Sequence, residues 1–132
     1  MSCRLFTTIL LLGCSCAVGC SSDDDDSTKA DAEALCEQQA STMCARYYGC
    51  YTAEQLAGMT AVAGTSEADC VTQWTSKLDC STNPNKCEAG KTFDSAKAKE
   101  CVEGYQAFSC ADFMGFMSGT TSAPAACSAA CK

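Results

Sequence analysis

The chain contains no histidine. That removes the usual general base, the serine and cysteine triads built on it, and the commonest metal ligand. Proline occurs twice and tryptophan once. No run alternates β-branched with polar residues, so nothing marks a β-strand. Beyond the first twenty residues there is no long apolar stretch. Basic clusters are absent as well: past Arg4, eight basic residues face 16 acidic ones, a net charge of −8. Such a chain does not suit a phosphate backbone, and nucleic acid is excluded as an expected partner.

Large apolar residues are also sparse. Past the first twenty residues, Leu35, Leu56, Val62, Val71, Trp74, Leu78, Val102 and the four phenylalanines Phe93, Phe108, Phe113 and Phe116 are spread thinly among alanines. A core built from them is marginal unless something else constrains the chain.

What abounds is cysteine, 14 residues in 132. Four lie within the first twenty positions. The other ten, Cys36, Cys44, Cys50, Cys70, Cys80, Cys87, Cys101, Cys110, Cys127 and Cys131, span the rest. Zinc sites call for C-x2-C-type knuckles. The closest spacings here are Cys127-x3-Cys131 and Cys44-x5-Cys50, so neither a metal nor another cofactor is expected. The C-x-x-C pair of thiol oxidoreductases is missing too. An even set of ten in an exported chain reads as five disulfides, with roughly 945 pairings open to it.

Export is signalled at the start. Arg4 precedes an apolar stretch from Leu5 to Val18, which suits a signal peptide and falls short of the ~20 residues of a spanning helix. The stretch ends in Ala17-Val18-Gly19-Cys20, followed by Ser21, Ser22 and the aspartates Asp23 to Asp26. The small residues before Cys20 resemble the lipobox of bacterial lipoproteins, although that family usually has leucine where Ala17 stands. Leu11-Leu12-Gly13-Cys14 is a rival, and Cys16 a third option. The resemblance implies cleavage before Cys20, lipid on its sulfur, and a membrane partner reached through that lipid. A serine at the second mature position implies the outer membrane; plain secretion is the alternative. Residues 1–19 are thus the expected signal peptide, and 20–28 an acidic flexible tether too polar to bury surface.

From 29 to 132 the expected fold class is all-α: a small disulfide-rich helical bundle preceded by a signal peptide and a disordered acidic tether. Ala32, Leu35, Cys36, Gln39, Ala40, Met43, Cys44 and Tyr47 recur at helical spacing and predict a helix over 29–48, stopped by Gly49. Thr52-x-x-Gln55 opens a second helix to Met59. Gly58 to Gly64 reads as a loop. Ser66-x-x-Asp69 starts a third helix through Leu78. Asp79 to Gly90 is a long turn that Cys80 and Cys87 pin. Asp94 caps a fourth helix carrying Cys101, Val102, Tyr105 and Phe108. Ser109 or Cys110 leads into a fifth, Asp112 to Ser118, and Pro124 into a final segment with Cys127 and Cys131.

With the lipobox, the acidic spacer, Cys36-x7-Cys44-x5-Cys50, Ser66-x-x-Asp69-Cys70, Ala96-Lys97-Ala98-x-x-Cys101 and Pro124-Ala125-Ala126-Cys127, the chain resembles the small cysteine-rich helical lipoproteins of myxobacteria. That resemblance implies an envelope location and a disulfide-laced helical fold, and no activity.

Two segments are candidates for contact with other molecules. Arg46-Tyr47-Tyr48-Gly49-Cys50-Tyr51 concentrates aromatics beside a cation, which suits a surface protein or glycan, or else packs a helix end. Phe113-Met114-Gly115-Phe116-Met117 either lines an apolar groove or caps the core. The expected role is non-catalytic, structural or interactive. A helical carrier of a small apolar ligand is the first alternative, marked by an internal cavity beside Trp74 and Phe113. A thiol–disulfide redox protein is the second.

Overall fold

A computed structural model of the chain describes residues 24–84 and 86–132. The segment read as a signal peptide, with Cys14 and Cys16, and Cys20 with the first part of the segment read as a tether lie outside these residues. Among the described residues the fold is all-α and stapled by five disulfides. The helices are α1 (Asp24–Cys50), α2 (Ala53–Ala57), α3 (Thr60–Ala63), α4 (Glu67–Leu78), α5 (Ser95–Ala107), α6 (Cys110–Met117) and α7 (Ala125–Ala129). No helix among these residues is long and apolar enough to cross a membrane.

Local chemistry sets most of the boundaries. Gln55 N–H donates to Thr52 Oγ1 at 3.3 Å and Thr52 N–H to Gln55 Oε1 at 2.8 Å, a reciprocal cap for α2. Asp69 N–H donates to Ser66 Oγ at 3.1 Å, and Lys97 N–H to Asp94 Oδ1 at 3.1 Å. Ser109 and Asp112 form a second reciprocal pair at the start of α6. Each cap satisfies backbone donors that a helix start otherwise leaves unpaired, typically worth about 1 kcal/mol. Asp79 ends α4 in the left-handed conformation at φ 56°.

Several boundaries differ from the expected ones, among them the end of α2 at Ala57 rather than Met59 and the span of α6 from Cys110 to Met117 rather than Asp112 to Ser118. The described chain is already helical at Asp24, so α1 covers part of the segment read as flexible, and it extends at its far end to Cys50, beyond 48. The stretch read as a loop contains the single turn α3, whose carbonyl end is held from α4: Trp74 Nε1–H donates to Val62 O at 3.0 Å and the Lys77 ammonium to Ala61 O at 3.0 Å. Pro124 stands just before α7 at its cap position, one place ahead of the first turn.

The 27-residue α1 runs about 40 Å and is the post on which α4, α5 and α6 pack. Cys36 bonds Cys80 and Cys44 bonds Cys70, so α4 lies antiparallel to α1. Cys50 bonds Cys110 and ties the end of α1 to the start of α6. Cys101 bonds Cys127 and clips α7 onto α5. Cys87 bonds Cys131, so the turn expected to be pinned by Cys80 and Cys87 is held by both, each to a distant partner. A short antiparallel bridge, Phe93 with Cys131, reinforces the C-terminal end, with Thr92 and Lys132 exchanging backbone hydrogen bonds. The core is Met43, Tyr47, Ala63, Cys101, Tyr105 and Phe113.

Two glycines on adjoining helices test how tightly this is packed. A Cβ at Gly104 would meet the Pro124 ring at 2.6 and 2.8 Å. That ring stands three residues before a disulfide cysteine and cannot retreat. The Ala gain in helix propensity, about 1 kcal/mol, is smaller than the cost of overpacking. Gly49 is exposed, and nothing lies within 4 Å of its Cβ position. In urea titrations with the bridges intact, Gly104→Ala lowers stability by about 1–3 kcal/mol, and Gly49→Ala raises it by up to about 1 kcal/mol. A stabilising Gly104→Ala contradicts the α5–α7 packing described.

Candidate functional site

Neighbouring positions on a helix point about 100° apart, and this divides the segment 46–51. Arg46, half-buried, lines a polar trough beside α4 and α5. Tyr47 is buried at 1% exposure and enters the core. Tyr48 points elsewhere: its hydroxyl donates to Ala63 O at 3.1 Å, and its ring borders a hollow with Leu56, Thr60 and Gly64. Tyr51 stacks on Tyr47 with ring centroids 5.7 Å apart. Of the four residues read as one binding segment, only Tyr47 and Tyr51 share a surface.

That surface is an apolar groove of about 310 Å³ between the end of α1, the α2–α3 corner and α6. Tyr47 and Tyr51 line one side, Met59 and Val62 another, and Met114, Met117 and Ser118 the third. The Phe113–Met117 segment does both things its composition allowed. Phe113, at 0% exposure, and half-buried Phe116 turn inward at i, i+3, while Met114 and Met117 form the open wall. The Tyr47 hydroxyl donates to Met117 Sδ at 3.4 Å and fixes that wall to the post. Between Trp74 and Phe113 the space is filled by Tyr47, whose ring lies 6.2 Å from the first and 5.2 Å from the second. Met59 and Val62 were missed because one was read as the end of the second helix and the other as loop; their i, i+3 spacing was the available signal.

Burial pushes the Tyr47 phenol up to about 12, with the nearby Tyr51 phenol adding to the shift. Burial also raises Tyr105. Three carboxyls lie below their usual range. Asp69 is held down by the Thr65 backbone N–H and hydroxyl, Asp94 by the Lys132 ammonium and the Lys97 N–H, and Asp112 by the Ser109 hydroxyl and N–H. All three are engaged at helix starts.

These shifts define two flanks of stability. A lowered carboxyl stabilises above its ordinary unfolded value, and that contribution disappears as pH falls through the folded value. A raised phenol stabilises below pH 10, and its contribution is lost as pH rises toward 12. Stability from denaturant titration should therefore fall on both sides of a neutral plateau. Tyrosinate absorbance should show a phenol titrating near 12 that Tyr47→Phe removes. A titration curve unchanged by that substitution contradicts the burial described.

Compared with known proteins, the chain matches no family model, no curated protein and no solved structure, and its site is read from its own residues.

Proposed function

We propose that this chain is a lipid-anchored cell-envelope protein whose helical domain is a non-catalytic interaction module. One observation carries the interaction role. Val62, Met114 and Met117, the exposed large apolar side chains among the described residues at 39%, 39% and 37%, gather on a single groove. Scattered exposed apolar residues need no explanation, but a gathered set marks a contact surface. Methionine adapts its shape to a partner, which suits an apolar protein segment. Tyr51 already stacks on Tyr47, which leaves a glycan less aromatic platform, so the partner is a surface protein.

The non-catalytic reading is supported by what the perturbed groups do. Asp69, Asp94 and Asp112 accept hydrogen bonds at helix starts, and the raised tyrosines owe their shift to burial. The filled space beside Trp74 and Phe113 favours an interaction surface over an internal carrier cavity. Five bridges suit an oxidising compartment. Cys20 carries the lipid, and Ser21 directs the protein to the outer membrane, as in the myxobacterial lipoproteins the chain resembles.

Intact mass of envelope-extracted protein, with alkylation before and after reduction, tests the anchor. The expected result is a mass starting at a lipidated Cys20, with ten thiols appearing only on reduction. Free thiols or an unlipidated start overturn it. For the groove, a photoreactive side chain at Val62 crosslinks an envelope protein in intact cells, whereas one at exposed Lys99 on α5, outside the groove, does not. Equal labelling from both positions removes the groove from the reading.

A further inference from the structure

We propose that a second concavity, the polar trough along α1, binds a short zwitterionic peptide between Arg46 and Glu67. The trough rests on neither the lipid anchor nor the methionine groove. Its floor is the stripe Gln38, Ser41, Thr42 and Ala45, at i, i+3, i+4 and i+7 on one face of α1. Its walls are Glu67 in the first turn of α4 and Gln106 near the end of α5. The Cys44–Cys70 bridge fixes the α4 side. Gln106 Nε2–H donates to Thr42 Oγ1 at 3.4 Å and fixes the α5 side. Short side chains at Ser41, Thr42 and Ala45 leave a shallow, solvent-open depression of about 480 Å³ between these residues.

Charge and hydrogen bonding specify the ligand. The half-buried Arg46 guanidinium makes no hydrogen bond or ion pair with any described residue; the described ion pairs are Lys97–Glu100 and Lys132–Asp94. Glu67 is likewise unpaired, so the two opposite charges line one trough without meeting. A guanidinium presents a planar fork that matches a carboxylate with two parallel hydrogen bonds. In a chain of net charge −7, a purely anionic ligand is repelled as it approaches. A ligand with both charges meets Arg46 with its carboxylate and Glu67 with its ammonium. Gln38 and Gln106 carry amides that donate and accept as peptide groups do. Thr42, at 8% exposure, accepts from Gln106 and donates to no described residue, so its proton is free for a ligand carbonyl. None of the lining side chains is aromatic, so a sugar ring finds no stacking face.

The test titrates trialanine, its C-terminal amide and its N-acetyl form into the full chain with disulfides intact, read by amide NMR shifts. Trialanine should shift the signals of residues 38–46, 67 and 106. Amidation should weaken binding on the order of tenfold, the worth of a charge-assisted hydrogen bond. Acetylation should weaken it several-fold, and Glu67→Gln should abolish the discrimination between free and acetylated peptide. Arg46→Gln should abolish the discrimination against the amide, which Arg46→Lys should retain in part. Equal affinities for the three peptides, or no shifts in the trough, overturn the proposal. The three-peptide comparison uses the unaltered chain and does not depend on how any variant folds.

Discussion

Helix α1 is bonded covalently at three levels, and the rest of the molecule is arranged around those bonds. Cys36–Cys80, Cys44–Cys70 and Cys50–Cys110 close spans of 44, 26 and 60 residues. In the chain-entropy account each such bridge contributes about 2–4 kcal/mol by restricting the unfolded state. The constraint also sets geometry. Eight residues along α1 separate Cys36 from Cys44, about 12 Å of helix, and their partners lie one in the first turn of α4 and the other just past its end. One helix is thereby held alongside the other in a single register. Few apolar side chains are then required to hold that pair together.

The bridges fall into two groups. One joins α1, α4 and α6; the other joins α5, α7 and the turn leading into α5. No disulfide crosses from α1 to α5, although the two helices pack against each other. That seam is held by side chains: Met43 and Tyr47 from α1 meet Cys101 and Tyr105 from α5 around Phe113. Two aromatic groups border it, one with Tyr47 5.2 Å from Phe113 at right angles, the other with Tyr105 5.2 Å from Phe116. The scarce large residues are concentrated where covalent bonds are absent, which is where loss of volume leaves a cavity that nothing else closes.

Much of this was legible in the residues, and the misses have physical causes. Thr52, Ser66, Asp94 and Ser109 were readable as helix starts because capping depends on a local hydrogen bond over three residues. Cys36 and Cys44 were readable as buried because eight residues return to the same helix face. The turn α3 was not, since Thr60 and Val62 are β-branched and Gly58 and Gly64 flank them; tertiary hydrogen bonds from Trp74 and Lys77 hold it. Bridge pairing was unreadable because it depends on how helices come together. The residues of the expected binding segment are distributed over several surfaces: Arg46, Tyr47 and Tyr48 are adjacent in sequence and diverge in space, whereas Met59, Val62, Met114 and Met117 do the reverse.

Both concavities open from the same stretch of α1, which supplies Arg46 to the trough and Tyr47 to the groove, with Tyr51 joining from just past the helix. The bridges at Cys44 and Cys50 bracket that stretch. Walls fixed in this way are shaped before a ligand arrives, so binding loses less conformational entropy than it would on mobile loops. The same bridges relax another constraint. A domain stabilised by burial alone gains ~25 cal/mol for each Å² of apolar surface it hides, and so is driven to cover its methionines. Where covalent closure supplies the stability, Met114, Met117 and Val62 can remain open and an arginine can stand unpaired. The disulfides thereby free surface residues from structural duty, and the residues so freed are those that line the two grooves.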